Sequence, residues 1–360
     1  MKHRNVIIVG GGLAGLYAAY LLQQRQIPYI LLETQPRLGG RILGTQNKKD
    51  TSHYFDLGPT WVFPHHGKIQ RLIKQLGMSL FEQHTTGDVL FQSIQRQPPN
   101  RIKAADVLQL FKVQGGTYSL ICALRSTLDQ NCIHLDHEMT KIEKHKDLWH
   151  LTARHKGSEY TFRADQLMLA MPPRIMAKYL THKQWISNSL LTNLQNSQTW
   201  MAAQAKFVVA YDKPFWREQG LSGQLFSQTG PMVEVYDAST DTNAHHGLFG
   251  FIGWPASRRS QMTQQQLKDA CLTQLIACYG PRASDFSECY LKDWATDEFT
   301  CTASYRFEAS RHPEFILSNH LHELNSLKLH LIGSEFAHIE PGYLEGAIDA
   351  VDRSALFSSN

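Results

Sequence analysis

A glycine-rich turn near the amino terminus has the residue types and spacing of a site for a dinucleotide pyrophosphate. Gly10, Gly12 and Gly15 follow the apolar residues 6–9 with the spacing G-x-G-x-x-G. Gly10 permits a tight turn, Gly12 lets backbone N–H groups approach the pyrophosphate, and Gly15 lets the following helix pack closely on the strand. The helix amino terminus carries partial positive charge and free N–H donors, which favour an anion.

Glu33 supplies a carboxylate where the adenosine ribose of such a cofactor would lie. It follows Gly15 by eighteen residues and ends a second apolar segment, residues 29–32. A carboxylate at this distance accepts hydrogen bonds from the ribose hydroxyls. Because its charge repels a ribose 2′-phosphate, the pattern disfavours NADP and leaves NAD and FAD.

Two further turns favour FAD over NAD. Residues 36–41 read Pro-Arg-Leu-Gly-Gly-Arg, and residues 56–61 read Asp-Leu-Gly-Pro-Thr-Trp. A plain NAD site needs neither turn, whereas both let backbone approach a longer cofactor, and the arginine at position 41 suits a pyrophosphate or a flavin edge. The predicted cofactor contacts in these turns are Gly40, Arg41, Gly58 and Thr60.

Composition excludes several other classes of protein. The chain has 360 residues, 42% of them hydrophobic, and a formal net charge of +4. This length predicts two intergrown domains, and the absence of a basic stripe argues against nucleic-acid binding. No stretch reaches about 18 uninterrupted apolar residues, so no membrane span is expected. The six cysteines include no C-x-x-C pair and are expected to be reduced core thiols of a cytoplasmic protein.

Histidine pairs raise the question of a metal site. Adjacent histidines occur at His65-His66 and His245-His246. Neighbouring side chains on a strand or helix point in different directions, so these pairs are poor ligand sets and no metal is predicted.

Periodicity predicts the elements that position the glycine turns and a buried lysine. Residues 136–170 predict three antiparallel strands, the last of which runs into a buried strand. Lys206 precedes an apolar strand, where its ammonium is costly unless it is paired or neutral. From local sequence alone, an ammonium that reaches solvent at a sheet edge is the simpler interpretation. The other predicted elements are a helix over residues 13–24, a strand over 329–332, a helix from near Gly342 to Val351, and a helix that places Leu267, Cys271, Leu275 and Cys278 on one face.

With these motifs in place, the chain resembles the flavin-containing amine oxidase family. The resemblance runs through VIIVGGGLAGLYAAYLL, LLETQPRLGGRI, DLGPTWV, QGGTYSL, LMLAMPP, AKFVVAYDKPFW and IGSEFAHIEPGYLEGAIDAVDRSA. It implies an α/β fold in which a Rossmann-like, two-dinucleotide-binding FAD domain is intergrown with a mixed-sheet α+β substrate domain. The implied bounds are residues 1–75, 115–204 and 298–360 for the FAD domain, and 76–114 and 205–297 for the substrate domain.

The resemblance also assigns catalytic positions. It implies that Lys206 holds a water near flavin N5 and that Tyr343 is one ring of an aromatic cage around the substrate amine. An ungapped match from Trp294 puts Ser304 at the second ring, with Tyr305 one residue later. Either the match shifts by one, which makes Tyr305 the second ring, or the cage has a single tyrosine.

Further cofactor contacts are implied in the carboxy-terminal half. Backbone near Met139 would receive the adenine, and Glu335 would hydrogen-bond the ribityl or phosphate region, directly or through water. Gly333 and Leu344 would place a helix amino terminus at the flavin N1–C2 edge, where partial positive charge stabilises the reduced ring. Ala303 stands where some family members carry the cysteine that bonds the flavin, so the implied FAD is noncovalent.

The implied reaction is the oxidation of a small-molecule amine, with hydride transfer to flavin N5 and O2 reduced to H2O2. Trp61 stands where relatives that act on α-amino acids can place an arginine, which favours an amine without an α-carboxylate. The alternatives are a desaturase or protoporphyrinogen-type oxidase on the same scaffold, and a flavin-binding sensor without turnover. Lys206 and Tyr343 argue against the first, because such substrates have no amine to orient. The sequence leaves the particular amine and the oligomeric state open.

Overall fold

The computed structural model describes residues 3–46, 51, 53–94, 97–103, 108–242, 244–308 and 310–358. The described residues form nineteen strands: β1 (His3–Val9), β2 (Tyr29–Leu32), β3 (Gly44–Gln46), β4 (Tyr54–Asp56), β5 (Trp61–Val62), β6 (Leu80–Glu82), β7 (Asp88–Gln92), β8 (Asn100–Lys103), β9 (Phe111–Val113), β10 (Ile133–His134), β11 (Glu138–His145), β12 (Leu148–His155), β13 (Ser158–Leu169), β14 (Ala205–Tyr211), β15 (Leu221–Ser227), β16 (Met232–Asp237), β17 (His246–Ile252), β18 (Phe286–Asp293) and β19 (Leu329–Leu331). They also form ten α-helices: α1 (Leu13–Gln24), α2 (Gly67–Gln75), α3 (Thr117–Thr127), α4 (Pro173–Leu180), α5 (Asn188–Asn196), α6 (Phe215–Glu218), α7 (Ala256–Arg259), α8 (Gln264–Tyr279), α9 (Leu321–Leu327) and α10 (Leu344–Asp352).

The first sheet has the strand order β10-β2-β1-β13-β12-β11, with β19 paired to the end of β13. Pairing is parallel among β10, β2, β1, β13 and β19, and antiparallel in the meander β11-β12-β13. Val6, Ile7 and Ile8 are fully buried because both faces of the sheet are covered, which is why β1 reads as a continuous apolar run. The predicted three-strand meander is confirmed.

The strand–turn–helix unit at the amino terminus forms as predicted. α1 spans residues 13–24 and β2 spans residues 29–32, the same bounds that the pattern predicts. α1 buries residues nearly all round, because it packs between the first sheet and α10 and α3. The predicted carboxy-terminal strand and helix are present as β19 and α10.

The second sheet has the order β18-β14-β17-β16-β15-β7-β8. It is mixed, since β15 and β7 run parallel while the other pairs are antiparallel. One face packs against the predicted apolar face of α8, which includes Leu267, Cys271 and Leu275. The other face is aromatic and turns toward the first sheet.

The two sheets draw their strands from different parts of the chain. Strands of the second sheet lie within residues 88–103 and 205–293, and those of the first lie outside these ranges. In a third sheet, of order β5-β9-β6, the central strand β9 pairs with β5 on one side and with β6 on the other. The domain bounds given above remain a proposal.

Two observations on the described residues concern membrane-spanning helices and cysteines. None of their helices is long and apolar enough to cross a membrane. All six cysteines are free, but the expectation of core thiols holds only in part: Cys122 is exposed, whereas Cys271, Cys278 and Cys301 are buried. The cytoplasmic location stays a prediction.

Candidate active site

A cavity of about 570 Å³ lies between the first sheet, the amino termini of α1 and α10, and the aromatic face of the second sheet. It collects the predicted residues from distant parts of the chain. The predicted residues that line it are Gly10, Gly12, Glu33, Gly40, Arg41, Gly58, Thr60, Met139, Lys206, Gly333, Tyr343 and Leu344. Three predicted residues, Gly15, Tyr305 and Glu335, are absent from this wall.

Two positions of the glycine turn, Gly10 and Gly15, require glycine for steric reasons. Gly10 has φ +106°, in the left-handed region that side chains other than glycine rarely adopt. A Cβ on Gly15 would lie 1.9 Å from the Gly10 carbonyl oxygen, so only glycine allows α1 to pack this closely on the turn. Gly15 therefore positions the helix instead of touching a ligand, in agreement with the role that its spacing predicts.

Glu33 closes one end of the cavity. Its carboxylate accepts hydrogen bonds from the backbone N–H groups of Gly11 at 2.6 Å and Gln35 at 2.8 Å. Burial raises the pKa of Glu33, and these two N–H donors act in the opposite direction. The carboxylate is thus held rigidly beside the turn where a ribose is expected.

Arg41 is held by Glu335. The Glu335 side chain is completely buried, and the guanidinium of Arg41 donates to both of its oxygens, one of them at 3.0 Å. Arg41 also donates to Ser334 Oγ at 3.1 Å. Glu335 lies outside the cavity wall and positions Arg41, which lines it, so the predicted Glu335 hydrogen bond to the cofactor, direct or through water, stays a prediction.

Lys206 lies on β14 with its ammonium inside the protein. The residue is 2% exposed, and its Nζ donates to the Gly58 carbonyl at 3.0 Å and to the Thr60 hydroxyl. Nζ also lies 4.1 Å from the centre of the Phe249 ring. Burial lowers the pKa of Lys206, although the nearby Asp56 carboxylate opposes this. The solvent-reaching interpretation that local sequence favours is wrong, because tertiary packing covers the whole side chain.

The turn that receives Lys206 requires a glycine. A Cβ on Gly58 would lie 2.1 Å from the Arg41 carbonyl oxygen. The two turns that the sequence assigns to a long cofactor, residues 36–41 and 56–61, therefore contact each other. The second of them also supplies the Gly58 carbonyl oxygen that accepts the hydrogen bond from Lys206 Nζ.

Tyr343 precedes α10 and presents an aromatic ring to the cavity. Its ring centre lies 5.5 Å from that of His312, 5.9 Å from that of Phe63 and 6.4 Å from that of Trp200. Trp200 also lines the cavity and is stacked on His312 at 3.6 Å. The His66 ring also lies 5.7 Å from the Tyr343 ring, and the other three rings come from segments that the sequence analysis does not single out.

The structure places neither candidate for the second cage ring in the cavity wall, and the single-tyrosine alternative stays a prediction. Tyr305 is buried away from the cavity, donates from its hydroxyl to the Ser197 carbonyl at 3.1 Å and lies under the Arg174 guanidinium. Ser304 is exposed and accepts a hydrogen bond from Arg174. Neither residue lines the cavity.

Sequence reasoning missed Trp200 and Glu234, which line the cavity from the loop before β14 and from β16. An acid flanked by valines inside β16 is a signal that could have found Glu234. No local signal identifies Trp200, since it lies in a loop without periodicity.

The geometric argument against a metal at His65-His66 fails. The two residues lie in a turn, and both rings approach Glu340, at 3.2 Å from His65 Nε2 and 3.8 Å from His66 Nε2. The expectation that they point apart is wrong. The two histidines and Glu340 could therefore each offer one ligand atom to a metal, and the absence of a metal stays a prediction.

The wall fits FAD on structural grounds. It combines a glycine cradle that a Cβ would obstruct, the amino termini of two helices, a carboxylate held at one end and an arginine held by a buried acid. An elongated anionic cofactor with a ribose matches this donor and acceptor set.

Comparison with known proteins identifies the class. The sequence profile of the family described as flavin-containing amine oxidoreductases matches residues 13–107 and 101–355. The chain therefore belongs to this family, and it is an oxidoreductase of the amine oxidase type. The family and fold class expected from the sequence are confirmed.

Individual relatives are distant but match over most of their length. The chain is 22% identical to the probable flavin-containing monoamine oxidase A of Dictyostelium discoideum, over 96% of this chain and 95% of that protein. It is 21% identical to the flavin-containing amine oxidase B of Bos taurus, over 98% and 85%. Among solved structures, putrescine oxidase bound to putrescine matches with a TM-score of 0.80 at 18% identity, covering 98% of each chain. The cyclohexylamine oxidase from Brevibacterium oxydans IH-35A matches with a TM-score of 0.79 at 18% identity, over 99% and 98%.

Proposed function

We propose that the protein binds FAD without a covalent bond, oxidises a small-molecule amine and passes the electrons to O2, forming H2O2. The observation that carries this proposal is the buried Lys206 in the wall of the cavity that Tyr343 also lines. A perturbed, desolvated lysine in a cleft is a functional-site candidate. A desaturase or protoporphyrinogen-type oxidase would have no amine for these two residues to orient.

The proposed cofactor contacts follow the wall from end to end. Gly10 and Gly12 with the start of α1 would hold the pyrophosphate, and Glu33 would bind the ribose. The backbone near Met139 would receive the adenine. The proposed flavin-side residues are Gly40, Arg41, Gly58, Thr60, Gly333 and Leu344.

When bound, FAD would accept a hydride from the α-carbon of the amine at N5, giving an imine that water hydrolyses to an aldehyde or ketone, and O2 would take up the electrons. The Tyr343 ring would orient the neutral amine before this step. Lys206, whose pKa burial lowers, can hold or pass a proton at Nζ through its contacts to Gly58 and Thr60. The amino terminus of α10 offers partial positive charge to the reduced ring.

Noncovalent binding is supported by the position of the cysteines. None of the described residues that line the cavity is a cysteine. Ala303, at the position where a thioether would be expected, is exposed and outside the wall.

The test is a peroxide-coupled screen of the FAD-loaded protein with monoamines, polyamines and amino acids, together with anaerobic flavin bleaching by the same panel. The proposal predicts bleaching and peroxide with at least one amine that lacks an α-carboxylate. Bleaching by a cyclic CH–CH substrate without amine turnover would favour the desaturase alternative. A flavin that no substrate bleaches would favour the sensor.

A further inference from the structure

Three side chains that can bind a metal ion meet beside Tyr343, outside the cavity wall. His65 and His66 lie in the turn before α2, and Glu340 lies in the loop that leads to Tyr343. The Glu340 carboxylate oxygens lie 3.2 Å from His65 Nε2 and 3.8 Å from His66 Nε2. Each residue offers one ligand atom, and these three atoms all lie within 4.8 Å of one another. The cluster thus joins two segments that are 275 residues apart in the chain.

The separations within the cluster suit a zinc ion. Imidazole nitrogens and carboxylate oxygens bind Zn2+ at about 2.0–2.2 Å, so two ligands of a tetrahedral site lie about 3.4 Å apart. The two nitrogen–oxygen separations of the cluster, 3.2 Å and 3.8 Å, bracket this value. Calcium and magnesium prefer oxygen ligands, whereas two imidazoles and one carboxylate suit zinc. The side chain of His65 is 62% exposed, so a water molecule can complete the coordination of the ion.

The buried His66 ring has a nitrogen without a partner. Its side chain is 1% exposed, and its Nε2, which lies 3.8 Å from Glu340, has no hydrogen-bond partner among the described residues. A buried polar atom without a partner is unfavourable, and a metal ion at this point would satisfy it. Metal binding at Nε2 moves the ring proton to Nδ1, which must then turn away from the Phe63 N–H. That contact, at 3.4 Å, is longer than an ordinary hydrogen bond, so little is lost.

Glu340 has a negative charge that the surrounding cations leave available. Among the residues that the structure describes, no lysine or arginine pairs with it, and Lys68 in the first turn of α2 pairs instead with Asp349 at 2.8 Å and Asp352 at 3.0 Å. The backbone of Glu340 is fixed next to α10, since its carbonyl accepts the Tyr343 N–H at 3.1 Å. An ion bound to this carboxylate is therefore held at a constant position relative to Tyr343.

We propose that His65, His66 and Glu340 bind one Zn2+ ion, which fastens the turn before α2 to the loop that carries Tyr343. None of the three ligands lines the cavity, so the ion acts as a structural clamp and takes no part in the redox step. It holds in place two rings that do line the cavity, those of Phe63 and Tyr343, whose centres lie 5.9 Å apart. The proposal opposes the sequence-based prediction of no metal, which assumes that adjacent histidines point apart.

The test measures Zn2+ binding by isothermal titration calorimetry, using FAD-loaded protein that carries no affinity tag and has been freed of metal by a chelator. The wild type should bind about one Zn2+ per chain at its tightest site. His65→Ala and Glu340→Gln should each raise the Kd of that site at least about tenfold, because each removes one of three ligands. Zn2+ at about a hundred times Kd should raise the unfolding temperature of the wild type by roughly 3–4 °C and that of the two variants by much less.

Two controls make the result specific to this cluster. His145→Ala removes another exposed histidine that lies near a carboxylate, 3.5 Å from Glu143, and it should leave the Kd unchanged. X-ray absorption by the zinc-loaded wild type should show nitrogen and oxygen ligands at about 2.0–2.2 Å together with the outer-shell scattering of two imidazoles. An unchanged visible flavin spectrum in each variant shows that the fold is retained.

The proposal is overturned if the wild type has no tight Zn2+ site, or if His65→Ala and Glu340→Gln bind Zn2+ as tightly as the wild type. It is also overturned if His145→Ala weakens binding as much as they do, or if the X-ray absorption shows fewer than two imidazole ligands. Because binding is measured without an amine, these outcomes leave the proposed oxidation of amines untouched.

Discussion

Replacing Lys206 with methionine should abolish most of the activity while leaving the fold almost as stable. The lysine donates to the Gly58 carbonyl at 3.0 Å and to Thr60, and each such charge-assisted hydrogen bond is worth about 1.5–3 kcal/mol. Against this, burial of the ammonium costs several kcal/mol. Because methionine conserves the volume and removes the buried charge, we expect the free energy of unfolding to change by less than about 1.5 kcal/mol.

The effect on catalysis should be far larger. Loss of a positioned proton donor or acceptor lowers a rate about 10²- to 10⁴-fold. The measurement is the rate of anaerobic flavin reduction by a saturating amine, compared with urea unfolding of the same FAD-loaded preparation. A large loss of rate without a matching loss of stability identifies a catalytic rather than a structural lysine.

Lys112 provides the matched control. It is also buried, its Nζ donates to the Ser239 carbonyl at 2.8 Å, and burial lowers its pKa, but it lies outside the cavity wall. Lys112→Met should change stability by a similar amount and leave the rate within about threefold, since it contacts no substrate. The reasoning is refuted if Lys206→Met keeps the wild-type rate, or if both variants lose rate equally.

The other predictions concern pH, the buried ion pair and the aromatic rings. Burial lowers the pKa of Lys206 in the folded protein below its ordinary value of 10.5, so between these two pKa values the unfolded chain binds more protons than the folded one. In that pH range, the free energy of unfolding of wild type relative to Lys206→Met should rise with pH by at most about 1.4 kcal/mol per pH unit, measured by urea unfolding. A difference that does not change with pH would contradict this prediction. Arg41→Ala leaves the buried Glu335 charge unpaired and should lower the free energy of unfolding by about 3–5 kcal/mol. Adding Glu335→Gln in the same chain should restore part of this loss. A double variant that is less stable than Arg41→Ala would contradict the prediction. Tyr343→Ala should lower kcat/KM for amines at least tenfold. Tyr305→Phe alters a ring outside the cavity wall and should leave kcat/KM near the wild-type value. Equal losses of kcat/KM in the two variants would show that Tyr305 belongs to the active site.

The amino-terminal cofactor unit was predictable because local physics defines it. The apolar run before Gly10, the glycine spacing and the apolar residues of the following helix each specify one element. The bounds of α1 and β2 accordingly agree with the prediction to the residue. The three-strand meander was predictable for the same reason, since alternation and turn residues are local signals.

The part of the cavity wall that contains Lys206 and Glu234 was not predictable, because it depends on contacts between segments that are distant in the chain. Lys206 reads locally as a strand-edge lysine, and only coverage by the turn at Gly58 and Thr60 makes it buried. Glu234 faces Lys206 because a register shift between Met232 and Glu234 aligns it with Phe251. No spacing along the chain contains that information.

The aromatic rings around Tyr343 could not be predicted for a related reason. The ungapped match from Trp294 leaves Tyr305 as one of two alternatives for the second ring, and the structure buries Tyr305 outside the cavity wall. Trp200 reaches Tyr343 from a loop more than a hundred residues earlier in the chain, which motif spacing does not detect.

The central claim is that this cavity binds FAD, and the absorbance spectrum of purified protein tests it most directly. The protein is incubated with FAD, freed of unbound cofactor by gel filtration, and measured before and after denaturation. We expect a flavin spectrum close to one flavin per chain, all of which denaturation releases. A protein that remains colourless after this treatment would contradict the assignment of the cavity, and flavin retained on the denatured chain would contradict noncovalent binding.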